Sequence, residues 1–206
     1  MHTAAATGQR SDDYESFSLT AIAEEITERH PGYRVEIIGG HLLVSPLRDA
    51  PHACVLTDLM CLFIAADPHD GDTEVLQNVG LRLPTGAEDY AIPDLAIVDA
   101  DIDDHLVENN AYDPVCFRLV LEVTSSNWKD DLKTKAVAYA QAKVPVYVIV
   151  DRKHQRVHVL TEPSGEQYEH HRPYSPGETA TLPDSIGAKV TLDVEQILKA
   201  AQRKAD

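Results

Sequence analysis

Two apolar runs each carry one acid. PDLAIVD, residues 93–99, holds Asp94, and LVLEVTSSN, residues 119–127, holds Glu122. An isolated carboxylate is costly to bury unless it is paired, hydrogen-bonded, shifted in pKa or bound to a metal. The acids stand 28 residues apart, so two neighbouring strands can bring them together at one end of a sheet. Two hard oxygen ligands there suit Mg2+ or Mn2+, with water and a substrate phosphate completing an octahedron. A metal held in this way polarises a phosphate and generates a hydroxide nucleophile.

The segment KDDLKTK beyond Glu122 adds Lys129, Lys133 and Lys135, with Asp131 among them. Lys135 and Tyr139 are one helical turn apart, as are Asp131 and Lys135. A lysine from this helix can orient water or stabilise charge developing on a phosphate. Spacing alone does not select among the lysines. Plainer readings stay open: Asp94 as a turn cap, Glu122 with Lys135 as a structural ion pair, and Lys135 as a solvated helix residue. Glu36 can equally be an exposed hairpin residue, and His52 an ordinary first-turn helix residue.

The elements that must position these groups are legible from periodicity and turn residues. SLTAIAEEITERHPG has Leu19, Ile22, Ala23 and Ile26 at helical spacing, and Pro31-Gly32 stops it. YRVEIIGGHLLVS reads as a hairpin turning at Gly39-Gly40. An apolar helix runs through PHACVLTDLMCLFIAA to Asp67-Pro68, and TEVLQNVGLRLPTG reads as a strand. The two acid-bearing runs read as strands. KDDLKTKAVAYAQAKVP reads as a helix with Leu132, Ala136, Val137, Tyr139 and Ala140 on its buried side. VYVIVD is a strand that pairs with RKHQRVHVLTE through a turn at Arg152–Gln155; Asp151 serves that turn, and His154, His158, His170 and His171 are surface residues. Shorter strands precede a terminal helix capped by Thr191 or Asp193. The expectation is a disordered leader over 1–13 and one α/β domain over 14–206, with a central mixed sheet flanked by helices.

EIIGGHLLVSP, His52, PDLAIVD, LVLEVTSS and DLKTKAVAYAQAKVPVYVIVD, in that order, resemble the Uma-two type restriction endonuclease family of the PD-(D/E)XK nuclease-like superfamily. The resemblance covers residues 17 to 162. It implies a restriction-endonuclease-like core and metal-dependent phosphodiester hydrolysis. Asp94 looks like the metal ligand of the PD element and Glu122 like the acid of the (D/E)XK element. Thr124 stands where the superfamily lysine is usual, and Lys135 on the following helix looks like its substitute. Glu36 resembles an acid that completes the metal site, and His52, Asp131 and Tyr139 are possible accessory residues. Val148 stands where the family often has Trp, Lys143 where it often has Gly, and the SSN segment departs from a frequent S-P-S.

Composition sets the partners. The formal net charge is −16 and hydrophobic residues make up 43% of the 206 residues. Loose attraction to polyanions is therefore disfavoured, and a nucleic-acid role needs a local basic patch or bound cations. Cys54, Cys61 and Cys116 lack a CxxC spacing and read as reduced core residues. With no signal-peptide-like start and no apolar run long enough to span a bilayer, the expected location is the cytoplasm. An exposed edge strand or the terminal helix offers a face for homodimerisation. Two principal function classes follow. The first is a Mg2+- or Mn2+-dependent endonuclease acting on nucleic acid, with DNA the expected form. The second is a catalytically silent nuclease-like module that binds a protein or nucleic-acid partner. Metal-dependent hydrolysis of a small phosphorylated substrate is a weaker third.

Overall fold

The computed structural model describes residues 18–66, 71–124 and 130–202, with the side chains of 130–132 left aside. The leader expected over 1–13, the Asp67-Pro68 stop, the SSN segment, Lys129 and the Asp131 side chain lie outside the described residues.

Helix α1 (Leu19–Arg29) is capped by Ser18, whose hydroxyl accepts from Ala21 N at 3.2 Å. Strands β1 (Arg34–Ile38) and β2 (His41–Ser45) form the expected hairpin, and Gly39 and Gly40 turn it at φ of 59° and 72°. That doubly positive φ is the conformation glycine adopts without strain. Buried Asp89 pins the turn by accepting from Gly39 N and Gly40 N at 2.6 and 3.2 Å.

Helix α2 (Ala50–Ala65) buries His52, Val55, Leu56, Leu59 and Phe63. Cys54 and Cys61 lie off that stripe, half-buried and exposed respectively, so of the three cysteines only Cys116 is a core residue. All three are free thiols.

The segment expected as one strand at 73–86 is broken in two: β3 (Thr73–Leu76) and β4 (Gly80–Arg82) belong to different sheets. The chain leaves one sheet at Asn78, which takes a φ of 54°, a left-handed conformation that asparagine tolerates. After β5 (Tyr90–Ala91) it returns to the other sheet as β6 (Leu95–Asp99). Short β7 (Leu106–Glu108) and β8 (Ala111–Tyr112) precede β9 (Phe117–Val123).

A π turn over Asp130–Lys135 leads into α3 (Ala136–Gln141), the crossover to β10 (Val146–Asp151). Lys143 closes that crossover at φ 59°, a left-handed position where glycine would be unstrained. The C-terminal part holds β11 (Arg156–Ser164), β12 (Gln167–Tyr174), β13 (Thr179–Thr181), β14 (Thr191–Asp193) and α4 (Val194–Ala200). Asp193, not Thr191, caps α4 by accepting from Gln196 N at 3.0 Å.

Two six-stranded mixed sheets result, ordered β2-β1-β5-β4-β8-β7 and β12-β11-β10-β9-β6-β3, with β13-β14 as a separate pair. β9 and β10 run parallel, joined by α3; β6 runs antiparallel to β9. One face of the second sheet, with Leu95, Ile97, Leu119, Leu121 and Val148, packs with Leu59 and Phe63 of α2 and Ile197 of α4. The other, with Ala96, Val98, Val120, Tyr147 and Ile149, meets Tyr139 of α3 and Leu81 and Ala91 of the first sheet. β6, β9 and β10 are thus covered on both sides, which is why they read as continuous apolar runs. Val137 is exposed rather than part of the buried side of α3. It lies off the face shared by Lys135 and Tyr139.

Candidate active site

The register of β6 and β9 pairs Leu95 with Leu121 and Ala96 with Val120. Continued by one residue, it sets Asp94 opposite Glu122, and alternation points both toward α3. Both are shielded from water, at 1% and 0% exposure. Asp94 Oδ2 accepts from Val123 N at 2.9 Å and meets His52 Nε2 at 3.0 Å. The His52 contact needs the ring proton on Nε2. Its Nδ1 is buried with no hydrogen-bond partner among the described residues.

Glu36 arrives from the first sheet. It sits two residues before the hairpin turn, on the inward face of β1, and is buried rather than exposed. Ile92 N donates to Glu36 Oε1 at 2.7 Å. Ile92 and Pro93 carry the chain from β5 to β6, so the crossing between the two sheets also fixes Asp94 beside Glu36.

Of the two described lysines in this segment, Lys135 and not Lys133 faces the acids. Its Nζ stands 2.6 Å from Glu122 Oε1 and 3.0 Å from Glu36 Oε1, while Lys133 is exposed. Tyr139, one turn on, donates its hydroxyl to Glu122 Oε1 at 3.0 Å. Burial, and then the neighbouring Glu122 charge, hold that phenol well above its ordinary pKa, so it stays a neutral donor. Tyr147 packs edge-on against Tyr139, with ring centroids 4.9 Å apart. Asp94, Glu122, Lys135, Glu36, His52 and Tyr139 therefore meet in one place.

Arg34 completes the cluster, and the sequence reading missed it. Its Nη1 is 2.8 Å from Asp94 Oδ1, its Nη2 3.6 Å from Glu122 Oε2 and its Nε 3.8 Å from Glu36 Oε2. Burial works against the guanidinium charge, but Glu122, Glu36 and Asp94 outweigh it and raise the pKa. Arg48 Nη2 approaches Asp94 Oδ1 at 3.4 Å from the rim. Burial likewise pushes the Asp94 carboxyl up. The His52 hydrogen bond, the Arg34 charge and the Val123 amide overcome that and hold it well below the usual carboxylate range. The available signal for Arg34 was its period-2 spacing from Glu36, which puts both on one face of β1.

Glu36, Asp94 and Glu122 offer the hard oxygen donors that Mg2+ or Mn2+ takes. Among the described residues they do not form a ready metal cage; Arg34 and Lys135 contact the same carboxylates. The donor chemistry of these three carboxylates fits a divalent cation.

A cavity of about 580 Å³ adjoins this cluster, lined by Arg48, Asp49, His52, Thr124, Arg152 and Lys153 among others. Arg152 grips both carboxylate oxygens of Asp49 at 2.8 Å. Elsewhere, His158 is buried rather than on the surface: its Nδ1 lies 2.8 Å from His171 Nε2. Asp151 accepts from Lys153 N and His154 N at 3.1 and 3.0 Å, the turn role expected of it.

A family model described as "Uma2: Putative restriction endonuclease" matches residues 19–195. The chain is similar in structure to a protein from Anabaena variabilis ATCC 29413, described as "a putative nuclease belonging to DUF820". That likeness has a TM-score of 0.62 at 12% identity, covering 81% of this chain and 90% of the other. At that identity it speaks for the fold alone, and the fold is the restriction-endonuclease-like mixed α/β core. No curated protein matches. No described helix is long and apolar enough to cross a membrane.

Proposed function

The chain belongs to the Uma2 restriction endonuclease family, and from that premise we propose that it is a nuclease cleaving phosphodiester bonds of nucleic acid with Mg2+ or Mn2+. The observation that carries this reading is Asp94 opposite Glu122 at one sheet end, with Glu36 and Lys135 within the same buried cluster.

In this reading Asp94, Glu122 and Glu36 hold the divalent cation. When bound, it stabilises negative charge at the phosphate and acidifies water. Lys135 orients the attacking water and counters charge gathering on the phosphate oxygens. Tyr139 keeps Glu122 in orientation through its hydroxyl. His52 does the same for Asp94 through Nε2.

Arg48, Arg152 and Lys153 line the cavity beside the acids. On a chain of net charge −16, these are cations placed beside the acids where a phosphate backbone could be met, with Arg152 held to Asp49 and Arg48 to Asp94. That placement favours a polyanion over a small phosphorylated substrate.

A second reading, a catalytically silent nuclease-like binding module, is favoured by one observation. Arg34 and Lys135 already contact all three acids. One experiment separates the two. Plasmid DNA, single-stranded DNA and RNA are incubated with Mn2+ or Mg2+ and the wild-type chain, Asp94→Asn or Glu122→Gln. The expected result is cleavage by the wild type and a loss of at least about 100-fold in each variant. Absence of wild-type cleavage on every substrate, or undiminished cleavage by both variants, overturns the enzyme reading.

A further inference from the structure

Arg34 contacts the three carboxylates that the metal-site reading assigns to the cation. Its guanidinium faces Asp94, Glu122 and Glu36 together, at 2.8, 3.6 and 3.8 Å. Only Nη1 hydrogen-bonds its carboxylate, that of Asp94; Nη2 and Nε lie within ion-pair range of Glu122 and Glu36 without hydrogen-bonding them. Without a compensating charge, three carboxylates at such separation repel one another strongly in a buried setting. Lys135 reaches Glu122 and Glu36. Arg34 therefore supplies, with Lys135 and Arg48, positive charge that offsets the acid cluster.

Arg34 also lines a second cavity, of about 630 Å³, which Arg48 and His52 do not line. Glu24 and Glu28 of α1 line that cavity, together with Tyr33 and Tyr90. A guanidinium leaving the cluster thus has room to move into and carboxylates to meet there.

We propose that Arg34 is a built-in counter-ion that competes with the divalent cation for Asp94, Glu122 and Glu36, and so sets the metal affinity of the site. This rests on the metal-site reading above. Arg34 is a positioning residue: it acts through the carboxylates. A second positive charge at the centre of the cluster would be repelled by the guanidinium, so occupation by metal requires the arginine to swing toward Glu24 and Glu28. The free chain accordingly binds metal weakly, and removing the arginine strengthens binding.

The test is Mn2+ titration calorimetry at pH 7.5 on the wild type, Arg34→Gln, Arg34→Lys and Glu122→Gln, with melting temperatures recorded with and without Mn2+. Arg34→Gln is expected to bind Mn2+ at least about tenfold more tightly than the wild type, with Arg34→Lys between them. Arg34→Gln also melts lower than the wild type without metal and gains more from Mn2+. Lysine keeps the charge but loses the planar guanidinium that spans the three acids, so Arg34→Lys still decides the matter if Arg34→Gln does not fold. Wild-type binding that is abolished in Glu122→Gln but unchanged or weakened in both Arg34 variants overturns the counter-ion role and leaves the metal site standing. Absence of Mn2+ binding in every folded variant overturns both.

Discussion

The ammonium of Lys135 lies 2.6 Å from Oε1 of Glu122, across 13 residues of chain, and both groups are almost wholly shielded from water. A helix and a strand have been brought into register so that one cation serves two acids, since Glu36 is 3.0 Å from the same nitrogen. Breaking a buried pair from one side leaves an uncompensated charge, which costs more than the pair contributes.

Lys135→Met should therefore be strongly destabilising, by about 3–5 kcal/mol. Adding Glu122→Gln to it should cost less than the two single changes together, because the second change removes the charge that the first stranded. Urea unfolding of the two single variants and the double variant checks this, and simple additivity would deny the coupling.

Asp94 should govern the acid side of the stability curve. Its folded-state pKa is depressed, so its contribution is fully present above the unfolded value of about 4 and is lost as pH falls through the folded value. The acid limb of the wild type should be steeper than that of Asp94→Asn, by on the order of 1–3 kcal/mol in total. Denaturation at a series of pH values from 7 downward compares them.

His158 should act in a different window. Burial, followed by the neighbouring His171, depresses its pKa. The folded chain therefore disfavours its protonation, so the stabilising effect is complete above the unfolded value of about 6.5 and is lost as pH falls below it. His158→Gln should lose less stability than the wild type between pH 7.5 and 5.5, by about 1 kcal/mol. Parallel slopes in the two proteins would rule this out.

Arg152 should matter for binding rather than chemistry. Arg152→Ala should weaken binding of a labelled oligonucleotide without regard to its sequence. It should also reduce the slope of log affinity against log salt by about 1. Fluorescence anisotropy without divalent cation, over a range of salt concentrations, measures both. An unchanged slope would remove Arg152 from the binding surface.

Most of the elements carrying the site were legible from local signals. Gly39-Gly40 between β-prone runs marks the hairpin, and the i, i+4 spacing of Lys135 and Tyr139 gives one helix face. The strand expected at 73–86 was misjudged because its division depends on which sheet each half joins, a non-local matter. Cys54 and Cys61 were misplaced because an apolar helix hides which stripe faces the core, and His158 because its partner His171 is on another strand.

Residue types and periodicity by themselves determined that Asp94 and Glu122 would be acids in buried strands. A lone charge inside an apolar run demands compensation wherever it lies. What compensates it, only the tertiary structure decided. The β6–β9 register set the acids face to face, the crossing at Ile92 and Pro93 delivered Glu36, and the face of α3 selected Lys135 over Lys133. Arg34 was hidden for the same reason. It looks like any charged residue at a strand start, and its three carboxylates come together only when two sheets and a helix close over it.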